Sequence, residues 1–433
     1  MLESLISGAA FGAALAATGM YQPTVIISQM RLDNWHMVQT FLTGSAASTL
    51  VVTLCQKLGY LHASPRGYSS LGLFGPLDGN IIGGCLLGIG MTLAGSCPGT
   101  VFVQVGTGVR SGIYTLGGSI LGGIIWSGFL RSALASLKSK SRQAPPKPED
   151  LTIHGALGTS QTVAFIGVEV MFAGAVATIS TLRLVKTQGL IGPVLGGFLV
   201  AGAQLFSALI RKTLLGTSAS FEEFGDYISW LLRGGGDGKP RSYNSIAVVT
   251  GMMIGALGLS LVSPLPQIFP SVDIGTTRLV LGGVLLALGS RIGGGCTSGH
   301  GITGISLLSI SSFVSVAAIL VVVLFFPLTL RSNPSPHASS FFLADPLTAV
   351  TSISIFISSF MRPAETIVAA GRACPNHFLS TGQTLGKASR SGTIYVTRTT
   401  SSMVAPASES ADATFRKHCS ACSVMSGDSS PVL

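Results

Sequence analysis

The sequence predicts an all-α, polytopic membrane protein of about nine transmembrane helices, in two repeat-related halves that carry broken or re-entrant half-helices. Three observations lead there. Only 10% of the 433 residues are Asp, Glu, Lys or Arg, and the mean hydropathy is +0.60, so the chain lacks the charged skin that water demands. The charges gather in a few short stretches between long apolar ones, as hydrocarbon requires. A Gly-rich segment that reaches a cysteine occurs twice.

A spanning helix needs about 20 mainly apolar residues. Stretches of that kind run over 4–20, 36–55, 79–96 and 111–131, and again over 161–179, 188–210, 244–263, 277–295 and 305–330. The first has no basic residue before its apolar run and no small-residue cleavage site with a polar continuation, so it is expected to be a membrane helix and not a leader peptide. The 56 glycines follow no collagen period and form no Gly/Ser linker. They fall inside the apolar stretches, where small residues let helix backbones approach closely.

Residues 132–160 contain KSKSRQAPPKPED, too charged and Pro-rich to cross lipid. They are expected to link a first membrane repeat, 1–131, to a second, 161–330. Lys138, Lys140, Arg142 and Lys147 put this linker in the cytosol, and Arg211, Lys212, Arg233, Lys239 and Arg241 put the next large loop there. Two spans lie between them, so the assignments agree. The loop 264–276 has no Lys or Arg, which suits the opposite face of a plasma membrane. Beyond Arg331 the chain turns Ser-, Thr- and Pro-rich, and 331–433 is expected to be a disordered tail. Its Cys419 and Cys422 form a CxxC with no second pair, weak grounds for metal or redox chemistry.

The net charge of +10 raises nucleic acid as a partner, but the basic residues form no helical stripe with interleaved aromatics, so none is expected. The partner expected instead is the lipid bilayer. GTGVRSG at 106–112 resembles a phosphate loop only superficially. It follows no strand and lacks the downstream Lys-Ser/Thr, and reads as a turn. Glu222, Glu223 and Asp226 precede an amphipathic stretch suited to the membrane surface and expected to have a structural role. No cofactor is expected. Nothing fixes a base beside any nucleophile, so an enzyme is not expected.

The informative feature is the repeated cysteine segment. GMTLAGSCPGT at 90–100 and GSRIGGGCTSG at 289–299 align without a gap on Gly90/Gly289, Gly95/Gly294 and Cys97/Cys296. Each cysteine is followed at once by turn-forming residues, Pro98-Gly99 or Thr297-Ser298-Gly299, which puts both at helix breaks. Irregular backbone at membrane depth persists only where protein or a water-filled cavity satisfies it, so both cysteines are expected beside a path. Broken helices expose N–H groups and a positive dipole end, which favours a negative substrate. Cys55 and Cys85 lack the repeat relation and are expected to be packing residues.

These segments, AGSCPG and GGGCTSGHG, resemble those of the YeeE/YedE family of sulfur transport proteins, and the likeness covers roughly residues 1–330. The resemblance implies thiosulfate uptake through a narrow waist at which thiols pass the ion along, with Cys97 and Cys296 at the matching positions, bordered by Gly95, Gly294 and Gly295. Some relatives have a further cysteine near the end of the first helix. Here that stretch reads AATGMYQP and offers Met20 instead.

A neutral thiol is a weak donor and a polarizable partner for sulfur, loose enough to release what it binds. Arg291 and His300 flank Cys296 and are candidates to attract the anion. The alternatives are a snorkelling Arg291 and a His300 bonded to backbone carbonyls. A zinc site from Cys97, Cys296 and His300 lacks the paired spacing such sites show. The other functions these residues allow are a membrane sulfurtransferase that hands a persulfide to a cytosolic sulfur acceptor, and a pore for another small anion.

Overall fold

The computed structural model describes residues 1–30, 32–140, 148–235, 239–240, 242–265 and 274–331. All of these fall in one compact unit, Met1–Val368, and a second unit, Ala369–Leu433, lies outside the described residues, as does the expected tail. Among the described residues there is no β-strand, only a bridge between Thr152 and Ser309.

The helices are α1 (Leu2–Ala17), α2 (Pro23–Met30), α3 (His36–Lys57), α4 (Asp78–Ala94), α5 (Thr100–Gly106), α6 (Arg110–Ile125) and α7 (Arg131–Lys140), followed by α8 (Ile153–Ala156), α9 (Gln161–Thr181), α10 (Pro193–Arg211), α11 (Ala219–Leu232), α12 (Asn244–Val262), α13 (Thr276–Ile292) and α14 (Ile310–Arg331). A π-helical turn, Trp126–Leu130, joins α6 to α7, and another, Ser298–Gly304, precedes α14. A helix occupies each of the nine apolar stretches. Among the described residues, five runs are long and apolar enough to cross a membrane: α3, Arg110–Ser136, α9, α10 and α12. Shorter apolar helices are α1, α4 and the Ile310–Val322 part of α14.

Local chemistry sets the ends. Ser160 caps α9 by accepting the Val163 N–H at 3.3 Å. Pro193 starts α10, where its missing N–H costs nothing. Gly106, Gly108 and Gly112 bracket the turn between α5 and α6, the predicted reading of GTGVRSG. Within α3, the hydroxyls of Thr40, Thr43, Ser45 and Thr49 donate to carbonyls one turn back, so a polar helix keeps its donors satisfied away from water.

Helix pairs meet at glycines. α1 and α12 run parallel: Gly8 and Gly12 of α1 sit against Val248 and Met252, while Gly251 and Gly255 of α12 sit against Leu5 and Ala9, inside the distance any side chain allows. α4 and α13 run antiparallel. A Cβ on Gly83 would lie 2.7 Å from the Gly289 carbonyl oxygen, and one on Gly289 would lie 2.7 Å from the Leu87 nitrogen. A Cβ on Gly90 would lie 2.9 Å from the Leu286 nitrogen, and one on Gly282 would lie 2.9 Å from Ala94. Gly84 abuts Ala318 of α14, and Gly283 abuts Ser119 of α6. α11 docks on the other helices. Gly225 and Gly123 bring it onto α6, and Phe221, wholly buried, stacks on Phe102 of α5 at 5.6 Å between centroids.

Candidate functional site

Both cysteine segments end their helices in the same way. Gly95 follows α4 with φ +57°, and Gly294, two residues past α13, has φ +77°. A left-handed residue ends a helix and turns the chain sharply, a conformation a side chain would strain. Each cysteine then lies two residues further on, and its sulfur accepts the backbone N–H three residues along: Thr100 N–H to Cys97 Sγ at 3.4 Å and Gly299 N–H to Cys296 Sγ at 3.4 Å. Both thiols are buried.

Hydroxyls complete each sulfur's surroundings. The Thr100 hydroxyl lies 3.3 Å from Cys97 Sγ, and Thr100 Oγ1 accepts the Cys97 N–H at 2.8 Å. Cys296 Sγ lies 3.1 Å from Ser298 Oγ and 3.3 Å from Thr217 Oγ1. Gln104 holds the first segment by donating to the Gly95 carbonyl at 3.0 Å and accepting from Ser96 at 2.7 Å.

The two segments meet at Gly99. A Cβ there would lie 3.7 Å from Thr217 Oγ1, 3.8 Å from Ser298 Oγ and 3.9 Å from Cys97 Sγ. The contacts of 3.9, 3.8 and 3.1 Å that run from one sulfur through Gly99 and Ser298 to the other bound the sulfur–sulfur distance at about 11 Å. The nearest hydrogen-bonding groups around the two sulfurs are the hydroxyls of Thr100, Ser298 and Thr217 and the backbone N–H groups of Thr100 and Gly299. Groups of this kind make weak contacts with a sulfur or an anion.

Residues 66–80, the end of the α3–α4 loop and the first turn of α4, tie down the second segment. Ser69 donates to the Ile292 carbonyl at 2.5 Å, Asn80 to the Gly293 carbonyl at 2.9 Å and Arg66 to the Gly294 carbonyl at 2.9 Å. Three consecutive carbonyls at the end of α13 are thereby satisfied by a loop far away in sequence. Asp78, buried, holds that loop closed by accepting the N–H groups of Leu71 at 2.6 Å and Leu73 at 2.7 Å.

His300 is occupied on both ring nitrogens. Nε2 faces the Gly293 carbonyl at 3.0 Å, so it carries the proton and donates, and Nδ1 accepts from the Ser312 hydroxyl at 3.0 Å. These two bonds brace the turn around Cys296. Arg291 is ion-paired with Glu222, and its guanidinium lies 5.9 Å over the Trp126 ring. Arg131 pairs with the same Glu222 at 3.1 Å and with Asp226, so the acidic cluster of α11 ties α11 to α7 and α13. Met20 is buried in an apolar cluster with Phe11, Tyr21 and Met252. Cys55 and Cys85 are packed in apolar clusters with Val52 and Leu61, and with Ile89 and Val322. Among the described residues no group of three His, Cys, Asp or Glu side chains is placed to hold a metal ion.

Two residues at this site had no signal in the sequence. Thr217 lies two positions before α11 in an unremarkable GTSAS, and Arg66 lies in SPRGYSS between two helices. Neither belongs to the repeated segment, and only tertiary structure brings them to Cys296.

A family model described as sulphur transport matches residues 17–325 of the chain. The thiosulfate transporter TsuA of Spirochaeta thermophila is 27% identical over 283 residues, which are 62% of this chain and 81% of that protein. Two proteins from strains Temecula1 and 9a5c of Xylella fastidiosa, each named a probable transporter, are 34% and 33% identical over 131 residues, 30% of this chain and 86% of each relative.

Proposed function

The chain belongs to the sulphur transport family, and from that premise we propose that it takes up thiosulfate, or a related small sulfur-containing anion, along a narrow path between Cys97 and Cys296. The observation that carries this reading is the meeting of the two cysteine segments at Gly99, each sulfur held by the same N–H contact. The N–H and hydroxyl donors suit the ion's oxygens, and the thiols suit its terminal sulfur. Because each contact is weak, the ion leaves as readily as it enters.

The path runs through a plasma-membrane protein of nine crossings in two halves related by an inverted repeat. Support comes from the α4–α13 contact. With Gly83 aligned on Gly282 and Gly90 on Gly289, Gly83 touches Gly289 while Gly90 touches Gly282, and Leu87 and Leu286 exchange in the same way. Contact of i with j′ and of j with i′ is the mark of a two-fold axis. Since α4 and α13 run antiparallel, that axis is perpendicular to them and lies in the membrane plane. The Xylella relatives add to this, because 131 matched residues make up 86% of proteins about a third the length of this chain, close to one of its two halves. Val substitution at Gly83 or at Gly289 is therefore expected to cost similar stability, about 3 kcal/mol or more by overpacking against backbone. Val at Gly117, where an added Cβ meets nothing within 4 Å, should change little. Thermal unfolding followed by size-exclusion chromatography in detergent reads all three.

Purified protein in liposomes tests the function. Labelled thiosulfate that accumulates inside, intact and competed by unlabelled thiosulfate, is the expected result. Release of sulfite without accumulation would favour sulfur transfer to an acceptor, and equal competition by unrelated anions would favour a general anion pore.

A further inference from the structure

The hydroxyls and N–H groups that contact the two sulfurs carry no charge, yet an anion that leaves water for a protein interior needs a positive partner. Arg66 supplies a cation at this place. Its guanidinium lies against the two glycines that flank Cys296 in the turn. A Cβ on Gly295 would lie 2.8 Å from Arg66 Nη1, and one on Gly299 would lie 3.2 Å from Arg66 Nη2 and 3.5 Å from Cys296 Sγ. The Cα–H face of Gly299 is thus in contact with the guanidinium at one edge and the thiol at the other.

The guanidinium is underused where it sits. Among the described residues it makes one hydrogen bond, from Nη1 to the Gly294 carbonyl, and no ion pair. Its Nε is buried without a partner. Five N–H donors in a planar fork match the oxygens of a sulfonate-like group. A clamp on the α13 carbonyls would need only one of them. Arg66 is also rigidly placed, because its own N–H donates to Ser309 Oγ at 2.8 Å and its carbonyl accepts from Ser311 at 3.1 Å. The nearby Arg291, by contrast, is already paired with Glu222.

Building on the transport reading above, we propose that Arg66 is the anion-binding residue of the Cys296 step: its guanidinium fork holds the oxygens of the thiosulfate ion while Cys296 meets the ion's terminal sulfur. No bond is made or broken. Gly295 and Gly299 keep the fork and the thiol within reach of one ion, and the carbonyl bond to Gly294 aims the fork.

The test compares unmodified protein, Arg66→Lys and Arg66→Gln in liposomes, with labelled-thiosulfate uptake measured across concentration. In parallel, the rate at which a small maleimide labels Cys296 is measured with and without thiosulfate, in a background in which the other cysteines are replaced, Cys97 by serine. Arg66→Gln should raise the half-saturating concentration at least tenfold and abolish protection of Cys296. Arg66→Lys, a point charge without the fork, should raise it several-fold and keep partial protection. If Arg66→Gln does not fold, Arg66→Lys still decides, because an unchanged half-saturating concentration in it overturns the proposal. So does a pair of variants that lower only the maximal rate and leave protection intact, the signature of a structural clamp. If unmodified protein accumulates no thiosulfate, the transport reading itself fails and this assignment falls with it.

Discussion

Replacing Cys97 or Cys296 by alanine is expected to lower thiosulfate uptake at least tenfold, while Cys55→Ala and Cys85→Ala leave it nearly unchanged. All four thiols are buried, so burial does not separate them. Surroundings do. Cys97 also packs in an apolar cluster with Ile26, Met91 and Leu286, but it and Cys296 have in addition hydroxyl and N–H contacts, on either side of Gly99 at the segments that break α4 and α13. Cys55 and Cys85 sit among aliphatic side chains, where alanine removes only a little packing, about 1 kcal/mol. A tenfold loss of rate corresponds to about 1.4 kcal/mol of barrier, the scale of a few weak contacts to a passing ion. Uptake per correctly folded molecule, normalised by size-exclusion profile, is the measurement. Well-folded Cys97→Ala and Cys296→Ala proteins that carry thiosulfate at the unmodified rate would remove the thiols from the path.

Gly99→Val is expected to block uptake without unfolding the protein, and Gly99→Ala to slow it. Gly99 has φ −87°, a conformation open to any L-residue, so substitution there brings no backbone strain. A Cβ would meet its nearest neighbours, Thr217, Ser298 and Cys97, at ordinary contact distances of 3.7 to 3.9 Å. Alanine therefore fits. The two further methyls of valine add bulk between those three side chains, where on this account the ion crosses. Thermal stability close to the unmodified value together with uptake below a tenth of it is the expected pairing. Unimpaired uptake by a folded Gly99→Val protein would move the path elsewhere.

Much of this architecture is legible in the sequence because lipid imposes simple rules. Stretches of apolar residues became helices at all nine places, since backbone polar groups in hydrocarbon have to be satisfied within the segment. The residues after each cysteine pointed to helix breaks there, while the helices end slightly earlier, at Ala94 and Ile292, followed by the left-handed Gly95 and Gly294. The rest depended on contacts between distant parts of the chain. The amphipathic stretch after Glu222 gave no sign that Gly225 would dock it on Gly123 of α6, because a small residue marks a close approach without naming its partner. Arg291 and His300 stood out as polar residues in an apolar context, but their partners, Glu222, Gly293 and Ser312, are set by tertiary folding. Arg66 carried no local signal at all. A loop of ordinary composition places it, through Ser309 and Ser311, against the turn that holds Cys296.

The claim that the ion passes between the two cysteines is tested most directly by a structure of the protein determined in saturating thiosulfate. The account predicts density the size of one thiosulfate ion beside Gly99, within contact distance of Cys97 or Cys296 and of the hydroxyls of Thr217 and Ser298. Well-defined thiosulfate density at a site remote from both sulfurs, with the space beside Gly99 closed and empty, would contradict it.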